Sequence, residues 1–177
     1  GYAVAVDASG SVAVAGSFQG TATFGTSALT AAGSFDVFVA RLNAAGQFQW
    51  ARGTTGSGSS VAQGAGVAFD GSGNVIATGF FSGTVDFDPG PGVVTLPYSG
   101  SRDVFVQKLD GSGNLVWARA FGSADIDQGN AVAADAAGNV YVAGTFAGPV
   151  NFNPSGDNTL TAVGFMDGFL LKLTPAG

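Results

Sequence analysis

The residues best suited to chemistry in this sequence are carboxylates, and two pairs of them stand two positions apart. In an extended segment such side chains point to the same face. Asp86 and Asp88 therefore form one candidate cation site, and Asp125 and Asp127 form another, since Ca²⁺ prefers hard oxygen ligands. A tight turn is the simpler interpretation, which the Pro and Gly residues near the first pair favour. Calcium binding at these pairs stays an open alternative, and no metal or cofactor is predicted.

The chain lacks most of the side chains that enzymes use as bases and nucleophiles. It has no His, no Cys and no Glu, so that Asp, Lys, Tyr and Ser remain. A glycosidase would need two carboxylates on opposing walls of a cleft. Three Asp residues recur instead at one position of an internal repeat, whereas an active site would occur once. We therefore predict that the protein is not an enzyme and has no catalytic residues. The recurring residues are Asp36, Asp103 and Asp167.

These three Asp residues are expected to cap the strands that they begin or to pair with a recurring cation. Arg41, Lys108 and Lys172 each follow five residues later, and buried charges need partners. Two Trp residues, each followed by Arg two positions later, are expected to pack as parts of outer strands. Stacking on a sugar ring is the alternative for them. The two pairs are Trp50 with Arg52 and Trp117 with Arg119.

The framework that must position these residues is a sequence that repeats. A passage that begins at Gly1 returns at Gly64 and again at Gly129, after 63 and then 65 residues. Within the repeats, five segments begin with Asp or Asn and have Gly three residues later. This order suits a type I turn followed by a left-handed Gly, which closes a β-hairpin. The five turns begin at Asp7, Asn43, Asp70, Asp110 and Asp135.

The segments between the turns are apolar on both faces, as in VYVAGTF and DVFVARL, so both sides of each sheet should be covered. With 30 Gly and no Glu, the chain lacks residues that fill solvent-facing helix positions. Side chains also grow from Ala in the first strand to Trp in the fourth, as in sheets that diverge from an axis. The prediction is an all-β fold of β-propeller-like blades, each with about four antiparallel strands. An open stack of hairpin layers is the alternative.

Nearly the whole chain resembles the SBBP β-propeller repeats of secreted and cell-surface bacterial proteins. The resemblance rests on the combination of three motifs, D-x-x-G-N, D-V-F-V-x-K/R-L and G-N-x-x-W-A-R. It implies a propeller fold and an extracytoplasmic setting, and it transfers no catalytic residues. The three blades are predicted at 1–63, 64–128 and 129–177, the last without its outer, Trp-bearing strand.

Charge narrows the choice of partners. A net charge of −6, with six Lys and Arg residues scattered singly, offers no basic surface for nucleic acid or an anionic membrane. No apolar run approaches the length of a membrane-spanning helix. Since loops on a rigid frame are where binding usually resides, we expect a non-enzymatic extracellular scaffold, adhesin-like or filament-forming, with protein or glycan bound at its loops. The alternative is a carbohydrate-binding or carbohydrate-active domain that uses Tyr98 or Phe121.

Further expectations concern burial and assembly. Residues 54–62 and 88–102 should be surface loops. Because the third blade lacks a strand and the first follows no other blade, these ends should pack on further copies or on further repeats of a longer chain. Whether a ring or a filament results is left open. Six side chains should be buried between sheets: Val4, Val6, Phe38, Val106, Val132 and Phe169.

Overall fold

The computed structural model describes residues 1–153 and 156–177. These residues contain no helix, and therefore none that is long and apolar enough to cross a membrane. The predicted all-β class is confirmed. In chain order the strands are β1 (Ala3–Val6), β2 (Val12–Phe18), β3 (Thr21–Phe24), β4 (Ser27–Thr30), β5 (Asp36–Leu42), β6 (Phe48–Gly53), β7 (Thr55–Gly56), β8 (Val61–Phe69), β9 (Val75–Ser82), β10 (Val85–Asp86), β11 (Asp103–Leu109), β12 (Leu115–Phe121), β13 (Gln128–Ala134), β14 (Val140–Phe146), β15 (Pro149–Asn151), β16 (Thr159–Thr161) and β17 (Asp167–Leu173).

The longer strands form three antiparallel sheets, one for each sequence repeat. Sheet 1 has the order β1-β2-β5-β6, sheet 2 the order β8-β9-β11-β12, and sheet 3 the order β13-β14-β17. Four strands in two sheets and three in the last match the predicted propeller-like blades. The boundaries predicted between blades fall just inside β8 and β13, because each of these strands begins slightly before the repeated Gly.

The hairpins β1–β2, β5–β6, β8–β9, β11–β12 and β13–β14 all turn on the predicted Asx–Gly segments. In the first turn, Asp7 Oδ1 accepts hydrogen bonds from the backbone N–H groups of Ser9 and Ser11 at 2.9 and 2.8 Å. Gly10 has a φ of 86°, which Gly adopts readily because it lacks a Cβ. The turn prediction is confirmed, since the other four glycines have φ between 75° and 84°: Gly46, Gly73, Gly113 and Gly138.

The sheets stack face to face, and each contact joins the trailing face of one sheet to the leading face of the next. The leading face is the side toward the preceding sheet in chain order, and the trailing face is the opposite side. Val67 on β8 and Val132 on β13 lie on leading faces, while Val39 on β5 and Val106 on β11 lie on trailing faces. Each junction therefore has its own apolar core, with side chains from two sheets.

Two of the six side chains expected to be buried are exposed. Val4 and Val6 lie on the leading face of sheet 1 and are 67% and 65% exposed. They are exposed because the β3–β4 hairpin covers only the part of this face around Phe38 and no sheet of the described chain lies over β1. In contrast, sheet 1 covers Val67 at the same position of sheet 2. Of the other four, Phe38, Val106 and Phe169 are buried and Val132 is half-buried.

Residues 54–62 form the surface loop that the sequence predicts only in part, since residues 57–59 are exposed and the two ends of the segment are packed. Thr54, Ser60 and Ala62 are buried, and the short strand β7 pairs with β10. The segment runs from sheet 1 to sheet 2 between packed elements, so its backbone takes part in hydrogen bonds of both. Residues 88–102 agree better with the prediction, since each is exposed or half-exposed.

Candidate functional site

The Trp and Arg residues on the last strand of sheet 1 bind a hairpin turn of sheet 2. The indole Nε1–H of Trp50 donates to the carbonyl of Gly111 at 3.0 Å. The Arg52 guanidinium donates through Nε to the carbonyl of Gly113 at 3.1 Å and through Nη2 to that of Ser112 at 3.2 Å. Three consecutive carbonyls of one turn are therefore held by two side chains.

The same arrangement joins sheet 2 to sheet 3. Trp117 Nε1–H donates to the carbonyl of Pro175 at 3.0 Å. Arg119 donates through Nε to Gly177 at 3.3 Å and through Nη2 to Ala176 at 3.2 Å. We term each set of three hydrogen bonds a Trp–Arg clasp. It satisfies the polar end of a buried Trp and uses the fixed fork of the guanidinium, so it sets how neighbouring sheets align.

A second cation crosses each junction from the third strand of a sheet. At the first junction Arg41 Nη1 donates to the carbonyls of Gly73 and Gly111 at 3.3 and 3.1 Å. These carbonyls belong to two different turns of sheet 2. Arg41 Nη2 also lies 3.7 Å from a carboxylate oxygen of Asp7 in its own sheet. One guanidinium thus connects three hairpin turns.

Lys108 takes this place at the second junction and is more deeply buried. Its Nζ lies 2.8 Å from Asp70 Oδ2 and donates to the carbonyl of Pro175 at 3.4 Å. Burial raises the pKa of Asp70, but hydrogen bonds from Lys108 and from the turn outweigh it and hold the pKa below its ordinary value. The predicted pairing of these cations with Asp36 and Asp103 is wrong. Five residues of extended strand separate the groups by roughly 16 Å.

The capping prediction for the same Asp residues is confirmed. The backbone N–H of Ala32 donates to Asp36 Oδ2 at 2.9 Å. Each later copy accepts a hydrogen bond from the N–H four residues before it. The equivalent bonds run from Ser99 to Asp103 at 2.9 Å and from Val163 to Asp167 at 2.8 Å. A carboxylate therefore closes the loop that enters the third strand of each sheet.

The second carboxylate oxygen of the capping Asp has a hydrogen-bond donor in sheet 1 but none among the described residues in sheet 2. Asp36 Oδ1 accepts a hydrogen bond from the N–H of Gly56 at 2.9 Å. In the connection after sheet 2, the N–H of Ser123 donates instead to Asp127 Oδ2 at 2.6 Å. Asp103 Oδ1 is buried and has no hydrogen-bond partner within the described residues. Burial, aided by the nearby charge of Asp127, outweighs the amide hydrogen bond and raises the pKa of Asp103 to about 6.

Residues 116–145 match the family model described as SBBP, beta-propeller repeat. The chain carries an SBBP repeat. The matched segment begins beside Trp117, contains the Asx–Gly turn at Asp135 and ends within β14. It therefore spans the second junction, with parts of both sheets. None of the curated proteins matches the chain. The SBBP match supports a repeat of the kind used as an interaction module and names no ligand.

The carboxylate pairs considered for calcium have other roles in the connections between sheets. Asp86 Oδ1 accepts hydrogen bonds from the N–H groups of Asp88 and Val94 at 2.9 and 2.8 Å, which turns the loop back on itself. Asp127 accepts bonds from two backbone N–H groups and one hydroxyl, while Asp125 is exposed. Among the described residues, no group of three or more potential metal-binding side chains forms.

Most of the aromatic residues considered for sugar binding are buried within the three sheets. Trp50 and Trp117 are buried by their clasps. Phe121, expected at a binding mouth, is buried against Phe152 with ring centroids 6.0 Å apart. Tyr98 alone of the named aromatics is exposed. Sequence reasoning missed the clasp. A signal for it exists, because a tight turn follows each W-x-R motif about sixty residues later, with Gly111 after Trp50 and Pro175 after Trp117.

Proposed function

We propose that this chain is a non-enzymatic scaffold of the bacterial cell exterior, in which SBBP-type sheets hold exposed loops in fixed positions. The observation that carries the proposal is the structural use of its cations. Of the six, Arg102 lies over the ring of Phe80, at 4.4 Å from its centroid, and Lys172 lies over that of Tyr141, at 5.4 Å. The other four bind turn carbonyls across sheet junctions: Arg41, Arg52, Lys108 and Arg119.

The carboxylates support the same view. Hydrogen bonds from the Asn side chains that end their turns are the main reason why the pKa of Asp110 and that of Asp135 lie below the ordinary value. A carboxyl with a lowered pKa is ionised at neutral pH and therefore makes a poor general acid. These turns repeat from sheet to sheet, which suits a framework better than one catalytic centre.

Several of the exposed apolar residues lie in loops between strands, away from the clasps. Val93, in the loop between β10 and β11, is 75% exposed. Val163 and Phe165, in the loop between β16 and β17, are 87% and 85% exposed. Such side chains on a rigid frame are available to a protein or glycan partner. The extracellular setting is supported by the resemblance to SBBP repeats of secreted and cell-surface proteins.

A scaffold of this kind separates loops from frame, and thermal unfolding tests that separation. We expect the triple variant Val93→Ser, Val163→Ser, Phe165→Ser to shift Tm by less than about 3 °C, because these side chains bury little surface. Trp50→Ala should lower Tm by about 10 °C, since it removes a buried aromatic and its clasp. Equal losses in the two proteins would overturn the division into frame and loops.

Enzymatic and glycan-binding functions are tested with the same chain. The scaffold proposal expects no product from a panel of chromogenic glycosides. Turnover that disappears in Asp88→Asn or Asp125→Asn would replace it with an enzyme. Binding to immobilised polysaccharides that Tyr98→Ala and Phe165→Ser both abolish would establish the glycan alternative, because exposed aromatic faces stack on sugar rings.

A further inference from the structure

Two apolar positions recur in the sheets, one on the trailing face and one on the leading face, and each is buried only where a neighbouring sheet lies over it. On trailing faces, Val39 and Val106 are buried by the following sheet, while Leu170, at the same position of sheet 3, is 78% exposed. On leading faces, Val67 is buried by the preceding sheet, while Val4, at the same position of sheet 1, is exposed. The uncovered surfaces in the described chain are therefore the part of the leading face of sheet 1 that carries Val4 and Val6 and the trailing face of sheet 3, while the β3–β4 hairpin covers the rest of the leading face of sheet 1.

The recurring cation adds a polar element to this comparison. Lys172 corresponds in position to Arg41 and Lys108, which reach turn carbonyls of the following sheet. In the described part of the chain Lys172 reaches no such carbonyl and lies over the ring of Tyr141 in its own sheet. On sheet 1, Ala44 occupies the turn position whose carbonyl receives the cation in sheets 2 and 3.

We propose that the trailing face of sheet 3 docks on the leading face of sheet 1 of a second copy of this chain. Leu170 then becomes buried against the face that carries Val4 and Val6, and Lys172 donates to the carbonyl of Ala44. A second copy is the occupant because each internal junction of the chain joins a trailing face to a leading face. The uncovered trailing face of one copy and the uncovered leading face of another can form the same contact. This contact rests on the proposed scaffold function, since it supplies the unit from which an array is built.

The contact between copies is weaker than the junctions inside the chain. Each internal junction has a Trp–Arg clasp, contributed by the fourth strand of a sheet. Sheet 3 has three strands in the described chain, so it presents Lys172 and Leu170 without a clasp. Association is therefore expected to be reversible and to depend on protein concentration. Because the two faces differ, the contact is head-to-tail and continues until a ring closes or a filament grows.

Sedimentation velocity of the 177-residue chain, from about 1 to about 200 µM, tests the contact. We expect the weight-average sedimentation coefficient of the wild type to rise with concentration. Leu170→Asp and Val4→Asp should each weaken association by at least about 100-fold, because each would bury an unpaired charge. Both positions are exposed in the single copy, so neither change should impair folding, which circular dichroism checks. Val93→Asp, exposed but on neither face, is the matched control and should associate like the wild type.

Mixing the two variants distinguishes this contact from other modes of association. Leu170→Asp retains the leading face of sheet 1, and Val4→Asp retains the trailing face of sheet 3. An equimolar mixture should therefore form one-to-one dimers that grow no further. A wild type that stays monomeric, a mixture that does not dimerise, or a Val93→Asp variant that loses association would each overturn the proposal. The loop-and-frame test by Tm does not depend on association, so the two proposals fail separately.

Discussion

Sheets 1 and 2 each begin their third strand with an Asp that caps the preceding loop, Asp36 in sheet 1 and Asp103 in sheet 2. The two carboxyl groups nevertheless lie in different electrostatic environments. Both oxygens of Asp36 accept backbone N–H groups, from Ala32 and Gly56. Only one oxygen of Asp103 does so, because Asp127 accepts the amide that follows sheet 2. The repeated sequence therefore determines the cap, while the unrepeated connection between sheets determines the charge state of the capping group.

The crossing cations show a similar contrast. Arg41 and Asp7 are 3.7 Å apart, and their side chains are partly exposed. Lys108 and Asp70 are 2.8 Å apart and almost fully buried. A buried pair is costly to break because the remaining charge has no water to solvate it, whereas an exposed pair contributes little. The same repeat position is thus expected to matter more at the second junction than at the first.

The largest effect is therefore expected from Lys108→Ala. It should lower the free energy of unfolding by about 3 kcal/mol, because Asp70 stays buried without its cation. The matched change Arg41→Ala should cost about 1 kcal/mol, since water can reach Asp7. Urea unfolding at neutral pH measures both. If Arg41→Ala costs as much as Lys108→Ala, burial does not explain the difference between the junctions.

The next effect separates the two capping residues directly. Asp36→Asn should destabilise the protein by about 2 kcal/mol, because its amide NH₂ would face a backbone N–H that the carboxylate now accepts. The donors at stake are those of Ala32 and Gly56, which meet opposite oxygens of the buried carboxylate. Chemical denaturation measures the loss. A variant as stable as the wild type would show that this carboxylate does not organise the loop.

Asp103→Asn should have the opposite sign, a gain of about 1 to 2 kcal/mol at pH 7. The folded-state pKa of Asp103 is about 6, above the ordinary value of 3.8, so the folded protein binds this proton more tightly than the unfolded chain. Stability from this group is fully present below about pH 4 and is lost as the pH rises through 6. The asparagine removes the buried charge but also the charge-assisted bond from Ser99, which is why the gain is smaller than the shift alone implies.

The pH dependence provides the control for this prediction. Asp127, whose pKa burial also raises, titrates in both proteins, so the difference between wild type and Asp103→Asn reports Asp103 together with its coupling to Asp127. That difference should be near zero at pH 4 and reach its full size above pH 6. Thermal unfolding across this range measures it. A gain that is independent of pH would rule out ionisation as its cause.

Features that depend on local sequence were predictable, and those that depend on the opposing sheet were not. The all-β class and the five turns follow from Asx and Gly spacing within a few residues. The exposure of Val4 could not follow from its own strand, because it depends on whether another sheet lies over it. The role of Arg52 was likewise hidden, since its partners lie about sixty positions further along the chain. The unpaired oxygen of Asp103 depends on Asp127, which belongs to an unrepeated connection.

The smallest effect compares the first hairpin turns of the two sheets. Gly73 and Gly10 have φ of 78° and 86°, so replacing either with Ala should cost about 1 kcal/mol for placing a Cβ in the left-handed region. A Cβ on Gly73 would meet no atom within 4 Å, whereas one on Gly10 would lie 3.1 Å from the Cβ of Ala44. Gly10→Ala should therefore cost a few tenths of a kcal/mol more. Tm values measured side by side resolve this, and a larger loss for Gly73→Ala would mean that conformation and not crowding sets the order.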